Sequence, residues 1–230
     1  MFNCTAYILI AGVSSCTVFS MPYPSKTDRQ AILSAAVKEL VQRGTRDLSL
    51  RNIAASLGLA PNAIYRYFSD LRALEAALAS EAARQLEVAL RRAADGCEPL
   101  TAIREMSSAY IKFARDNRHL YEAMMSFHSS EHDATSHESL WAFTVGQVQR
   151  IAGSERAPQA SVALWAFLHG AVTLEAAQLL GELKPASGLK FGFEAWLKAV
   201  TTRGAPIEAP GIKPTKKMVK RKASGSGRST

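Results

Sequence analysis

From Thr27 onward apolar side chains recur every three or four residues and halt at short breaks marked by glycine, serine or proline. Leu33, Ala36, Val37, Leu40 and Val41 fall at i, i+3, i+4, i+7 and i+8, one face of a helix that Gly44 ends. Ser49 is placed to cap a second, short helix whose inner face is Leu50, Ile53, Ala54 and Leu57, with Gly58 at its end. Pro61 opens a third at the helix position where a missing N–H costs nothing, and Ile64 and Phe68, one turn apart, pin it to the first two. Ser69 or Asp70 caps a long fourth helix with Leu71, Leu74, Leu78, Ala82, Leu86 and Leu90 along one side and Gly96 beyond it. The same period predicts helices at about 99–116, 118–127, 137–152, 158–182 and 188–202. No stretch sustains the period-two alternation of a strand. The pattern therefore predicts an all-α chain of nine helices.

Charge divides this chain more sharply than hydropathy does. The net charge is +8 over 230 residues, but residues 211–230 hold seven cations and no acid. Residues 22–72 carry eight cations against four acids, and 73–210 carry 13 against 16. A basic head, a mildly acidic body and a basic tail result, which points to an anionic partner at the head. The expected division is an uncharged extension at 1–25, a head at 26–72, a helical body at 73–203 and a disordered basic tail at 204–230. The apolar run Tyr7 to Val13 lacks the basic flank of an export signal and falls short of the roughly 20 residues of a membrane span. Met21 is read as the natural start. Cys4, Cys16 and Cys97 form no Cys-x-x-Cys pair, consistent with a reduced, cytoplasmic protein.

The segment Leu48 to Asp70 carries the most specific chemistry. Two short amphipathic helices flank Gly58, Leu59 and Ala60, the tight turn that a helix-turn-helix needs so that its second helix crosses the first steeply. That second helix presents Asn62, Tyr65, Arg66 and Tyr67. Amide and guanidinium groups bond base edges in the major groove, and tyrosine hydroxyls reach phosphate oxygens. The run Ile53 to Phe68, with the helix ending at Gly44 before it and the long capped helix after it, resembles the DNA-binding head of the TetR family of transcriptional repressors over Thr27 to about Leu78. The resemblance implies that Ser49 and Arg51 touch the DNA backbone. It also implies that Pro61, Asn62, Ala63, Tyr65, Arg66 and Tyr67 form the groove-facing surface. Two positions depart from the family pattern. Ala60 stands where Ser or Thr is usual, and Leu71 stands where a phosphate-binding Lys is usual, with Arg72 beside it as a substitute.

The segment Ser161 to Gly181 is apolar around most of its circumference and must be buried on more than one side. His169, Glu175 and Gln178 make it a poor membrane span. Phe193, Trp196, Leu197 and Val200 on the last helix supply a companion face. Two such helices from each of two chains make a four-helix homodimer interface, with Leu164 and Leu168 joining those four residues. Trp165, His169 and Gly170, with Phe191-Gly192-Phe193, resemble the Trp-His-Gly type of TetR-family regulatory domain. The resemblance implies a small-molecule effector pocket, and Trp165 and His169, one turn apart, are placed to line it.

His128, Glu131, His132, Asp133 and His137 gather three of the chain's five histidines. The serines around them mark a polar connection between helices, and nothing fixes a ligand geometry, so neither a metal nor another cofactor is expected. No nucleophile, base and orienting group stand in order, and no glycine-rich phosphate loop occurs. The expectation is a homodimeric regulator, not an enzyme, that represses from a double-stranded DNA operator and is released by a small molecule, with no membrane partner. An architectural DNA-binding dimer without effector and a small-molecule enzyme using the helical cavity are the alternatives.

Overall fold

In the computed structural model, which describes residues 27–127, 135–180 and 185–202, every regular element is an α-helix. The expected terminal extension and basic tail lie outside the described residues, as do His128, Glu131, His132 and Asp133. The order is α1 (Arg29–Arg43), α2 (Leu50–Ser56), α3 (Pro61–Ile64), α4 (Leu71–Ala94), α5 (Pro99–Asp116), α6 (Arg118–Ser126), α7 (Thr135–Ala152), α8 (Ala157–Ala176) and α9 (Pro185–Thr201). No helix among the described residues is long and apolar enough to cross a membrane.

Two aspartates set the starts of the head's helices. Asp28 accepts a 2.7 Å hydrogen bond from the Ala31 N–H and begins α1, and Asp70 accepts one of 2.8 Å from the Ala73 N–H and begins α4. Both bonds satisfy donors that have no partner within the helix. Ser49 occupies the N-cap position of α2 in extended backbone, but its side chain makes no capping bond, contrary to the sequence expectation. Asp70→Ala removes one cap and is expected to lower stability by about 1 kcal/mol. Urea unfolding followed by circular dichroism checks this, with an unchanged slope and a lower midpoint.

The regular part of α3 is only four residues long, yet its hydrogen bonding continues. The Tyr67 and Phe68 N–H groups donate to the Ile64 carbonyl at 2.9 and 3.0 Å. Ile64 and Phe68 point inward with Ile32, Leu40, Ile53 and Leu74, closing the head's own core. The next layer is built around α4, which leaves the head and packs against α5, α6 and α7; α8 then lies on α7, and α9 on α8. The first helix rests on both α4 and α6.

Head and body meet at one close approach. Gly44 caps α1 with φ +80° and ψ 179°, a conformation almost confined to glycine. A Cβ placed there would lie 3.2 Å from Cε1 of His119 on α6.

Candidate nucleic-acid interface and apolar cavity

The outer side of the α3 segment is open to solvent. Pro61, Asn62, Tyr65 and Arg66 are exposed, Tyr65 by 52%, while Ala63 is half-buried. Arg51 on α2 is exposed and Ser49 half-buried at that helix's start. Neither Arg51 nor Arg66 has an ion-pair or hydrogen-bond partner among the described residues, so both guanidinium groups keep their full donor capacity for an anion. Arg46 and Arg72 flank them, also exposed.

Tyr67 corrects the sequence expectation. It is half-buried, and its hydroxyl donates to the Thr27 carbonyl at 2.8 Å, fastening the end of the α3 segment to the approach to α1. Its proton is spent inside the head. Arg29 adds to the same joint, its guanidinium 4.8 Å over the Phe68 ring. The rigidity of the outward residues therefore comes from three inward ones, Ile64, Tyr67 and Phe68.

In the body, α4 to α8 enclose an apolar cavity of about 250 Å³. Leu86 and Leu90 of α4, Met106 and Tyr110 of α5, Met124 of α6 and Leu168 of α8 are among its walls. Trp141 and Trp165 meet edge-to-face with centroids 6.5 Å apart, both partly exposed to solvent. Trp165 thus lines the cavity as expected.

His169 does not. A step of four residues on a helix turns about 40° past a full turn, and His169 lines an outer crevice instead, its ring centroid 6.1 Å from that of Trp165. The Tyr121 hydroxyl and His169 Nδ1 are 2.6 Å apart, and the Tyr110 and Tyr121 hydroxyls 2.7 Å. A short polar chain thus leads from Tyr110 in the cavity wall to His169 at an outer crevice shared with Arg115 and Glu175. Burial holds both tyrosine hydroxyls above their ordinary pKa, so each stays a neutral phenol.

The residues expected at the dimer interface mostly face the interior of their own chain. Leu164, Leu168, Leu197 and Val200 are buried, and the first two line the cavity. Trp196 is half-buried, its indole N–H donating to the Ala160 carbonyl at 3.0 Å, which ties α9 to α8. Phe193 is half-buried and stacks on Trp196. Beside Trp165, the large apolar side chains that do reach solvent here are Val162 and Leu174 of α8, Leu179 just beyond it, and Phe191 of α9, the last 78% exposed. Sequence periodicity missed them because a helix apolar all round gives no sign of which face is covered within the chain.

Residues 32–78 match the family model described as bacterial regulatory proteins, tetR family, and residues 103–191 match the Tetracyclin repressor-like C-terminal domain. An uncharacterised HTH-type transcriptional regulator of Haemophilus influenzae is 36% identical over 66 residues, covering 28% of this chain and 32% of that protein. The chain thus matches about a third of that curated relative's length. A protein of unknown function from Rhodococcus sp. RHA1 superposes with a TM-score of 0.66 at 23% identity, over 79% of this chain and 100% of the other. A TetR variant from Acinetobacter baumannii AYE in complex with minocycline gives 0.55 at 18% identity, over 75% and 96%. At these identities the structural likeness is one of fold.

Proposed function

Because the chain belongs to the TetR family of transcriptional regulators, we propose that it works as a homodimeric repressor that leaves a pseudo-palindromic operator when a small molecule fills the cavity between α4 and α8. The observation that carries this reading is the exposure of Asn62, Tyr65 and Arg66 on a segment whose inner side is locked by Ile64, Phe68 and Tyr67. A side chain that reads a base edge must be free at its tip and fixed at its root.

Two copies of the segment would enter successive major grooves about 34 to 36 Å apart. The exposed Val162, Leu174 and Phe191 favour a dimer built on the outer faces of α8 and α9, since several large apolar groups on neighbouring elements rarely stay in water. Asn62 and Arg66 would contact bases, Tyr65 a base or phosphate, and Ser49 and Arg51 the backbone.

The cavity supplies the input. Leu86 and Leu90 belong to the helix that begins at the head, so a ligand pressing on them acts on the far end of α4. Helix α6 offers a second route, as Met124 lines the cavity and His119 packs against Gly44 in the head. A coupling of about 1 to 3 kcal/mol between ligand and DNA changes operator affinity about 5- to 150-fold. That a protein of the same fold holds minocycline supports a small-molecule input of this kind.

The test pairs DNA selection with a ligand screen. The full chain is expected to retain an inverted repeat from the DNA flanking its own coding region. An apolar compound that raises the melting temperature is expected to weaken that complex over the same concentration range. Ligands that stabilise the fold and leave DNA affinity untouched would contradict the effector role.

A further inference from the structure

One polar atom in the cavity wall has nothing to bond. His137 of α7 lines the cavity, and its Nδ1 is buried without a hydrogen-bond partner. The hydroxyl-bearing side chains of the wall are engaged elsewhere. Ser107 Oγ donates to the Ile103 carbonyl at 2.8 Å, Thr144 Oγ1 to the Leu140 carbonyl at 2.9 Å, and Tyr110 is bonded to Tyr121. A buried polar atom left unpaired costs about 1 to 3 kcal/mol, a penalty that a ligand able to bond it would remove.

The charges around the wall narrow the ligand's class. No Asp, Glu, Lys or Arg is among the lining residues. Glu87, next to Leu86 on α4, is buried and held by Arg91 at 2.6 Å and by the Ser139 hydroxyl of α7 at 2.8 Å, so the nearby cation is already paired. A carboxylate or phosphate entering the cavity would lose its hydration with no cation to replace it. Burial also holds the His137 pKa below its ordinary value, leaving a neutral imidazole in neutral solution.

Shape and softness complete the description. The rings of Trp141, Trp165 and Tyr110 favour a flat partner in offset or edge-on contact, and the Met106, Met124 and Met125 thioethers adapt to its outline. We infer that the cavity takes an uncharged, mainly apolar ring compound bearing one hydroxyl, anchored at the buried, unpartnered His137 Nδ1. A hydroxyl both donates and accepts, so it suits either tautomer of the ring. This inference rests on the effector-binding reading of the cavity.

Equilibrium dialysis of the full chain against 2-naphthol, naphthalene and 2-naphthoate tests it. The expected order is 2-naphthol about tenfold tighter than naphthalene, the worth of one net hydrogen bond, and more than about a hundredfold tighter than 2-naphthoate. His137→Leu is expected to bind 2-naphthol and naphthalene equally, and His137→Gln to keep part of the preference, with both variants melting cooperatively by circular dichroism. A 2-naphthoate affinity within about threefold of 2-naphthol, an undiminished preference in His137→Leu, or no binding of any of the three overturns the inference. Operator affinity measured alongside separates the two levels. Anchoring by His137 without DNA release defeats the regulator reading alone, whereas release by an anionic ligand of the same cavity defeats this inference alone.

Discussion

Arg66→Ala is expected to lower affinity for the selected operator at least about 30-fold while leaving the folded dimer intact. A good guanidinium contact to a base edge is worth about 1 to 3 kcal/mol, and a symmetric dimer loses it twice, about 2 to 6 kcal/mol in all, or roughly 30-fold to more than 10⁴-fold. The fold should not notice the change, because Arg66 is exposed and bonds to nothing among the described residues. Tyr65→Ala should behave similarly through a different contact. Arg66→Lys separates charge from geometry, since it keeps the attraction to phosphate and loses the planar fork. That variant is expected to retain nonspecific DNA binding and lose discrimination between operator and scrambled sequence. Fluorescence anisotropy at one fixed salt concentration, with size-exclusion chromatography for the dimer, reads all three.

Gly44→Ala is expected to destabilise the protein by about 3 kcal/mol, from a conformation that costs a non-glycine residue about 1 to 3 kcal/mol and a steric conflict on top of it. The backbone stands at φ +80°, and the new Cβ would meet the His119 ring at 3.2 Å. Urea denaturation gives the loss directly. Adding His119→Ala should restore only the steric share, because the backbone penalty does not depend on α6. Because the contact joins the end of α1 to the helix carrying Met124, the single variant is also expected to bind operator more weakly than its loss of stability alone explains.

The all-helical architecture was legible because amphipathic periods and end signals agree at most elements. Helix α5 starts at Pro99 and ends at Asp116 as expected, and Asp70 caps α4 with the bond its position suggests. Where the reading failed, a local rule met a tertiary constraint. Helix α8 stops at Ala176 instead of continuing to about 182, its end marked by Gln178 at φ 57°, although composition alone favours a longer helix. Val41 satisfies the periodic rule of α1 yet is 50% exposed, whereas Leu40 beside it is fully buried.

The head's outer surface was legible for a similar reason. Inward residues on α3 are apolar and outward ones polar, so spacing separates Ile64 and Phe68 from Asn62 and Arg66. Tyr67 escaped that logic, since a tyrosine suits either side and only the fold shows its hydroxyl reaching Thr27. In the body the pattern carries far less information. Leu164 and Leu168 face the cavity while Val162 and Leu174 face solvent, and hydropathy does not tell the two pairs apart. His137 was visible only as one of a run of histidines; its place in the cavity wall depends on how α7 rotates against α4 and α5.

Methylation interference on the selected operator tests whether two copies of the α3 segment read adjacent major grooves. Methyl groups at guanine N7 lie in the major groove and those at adenine N3 in the minor. The expected result is two clusters of guanine N7 interference about 10 base pairs apart, each with at least one position at which methylation no longer matters to Arg66→Ala. Interference confined to the minor groove, or a pattern that Arg66→Ala leaves unchanged, would contradict it.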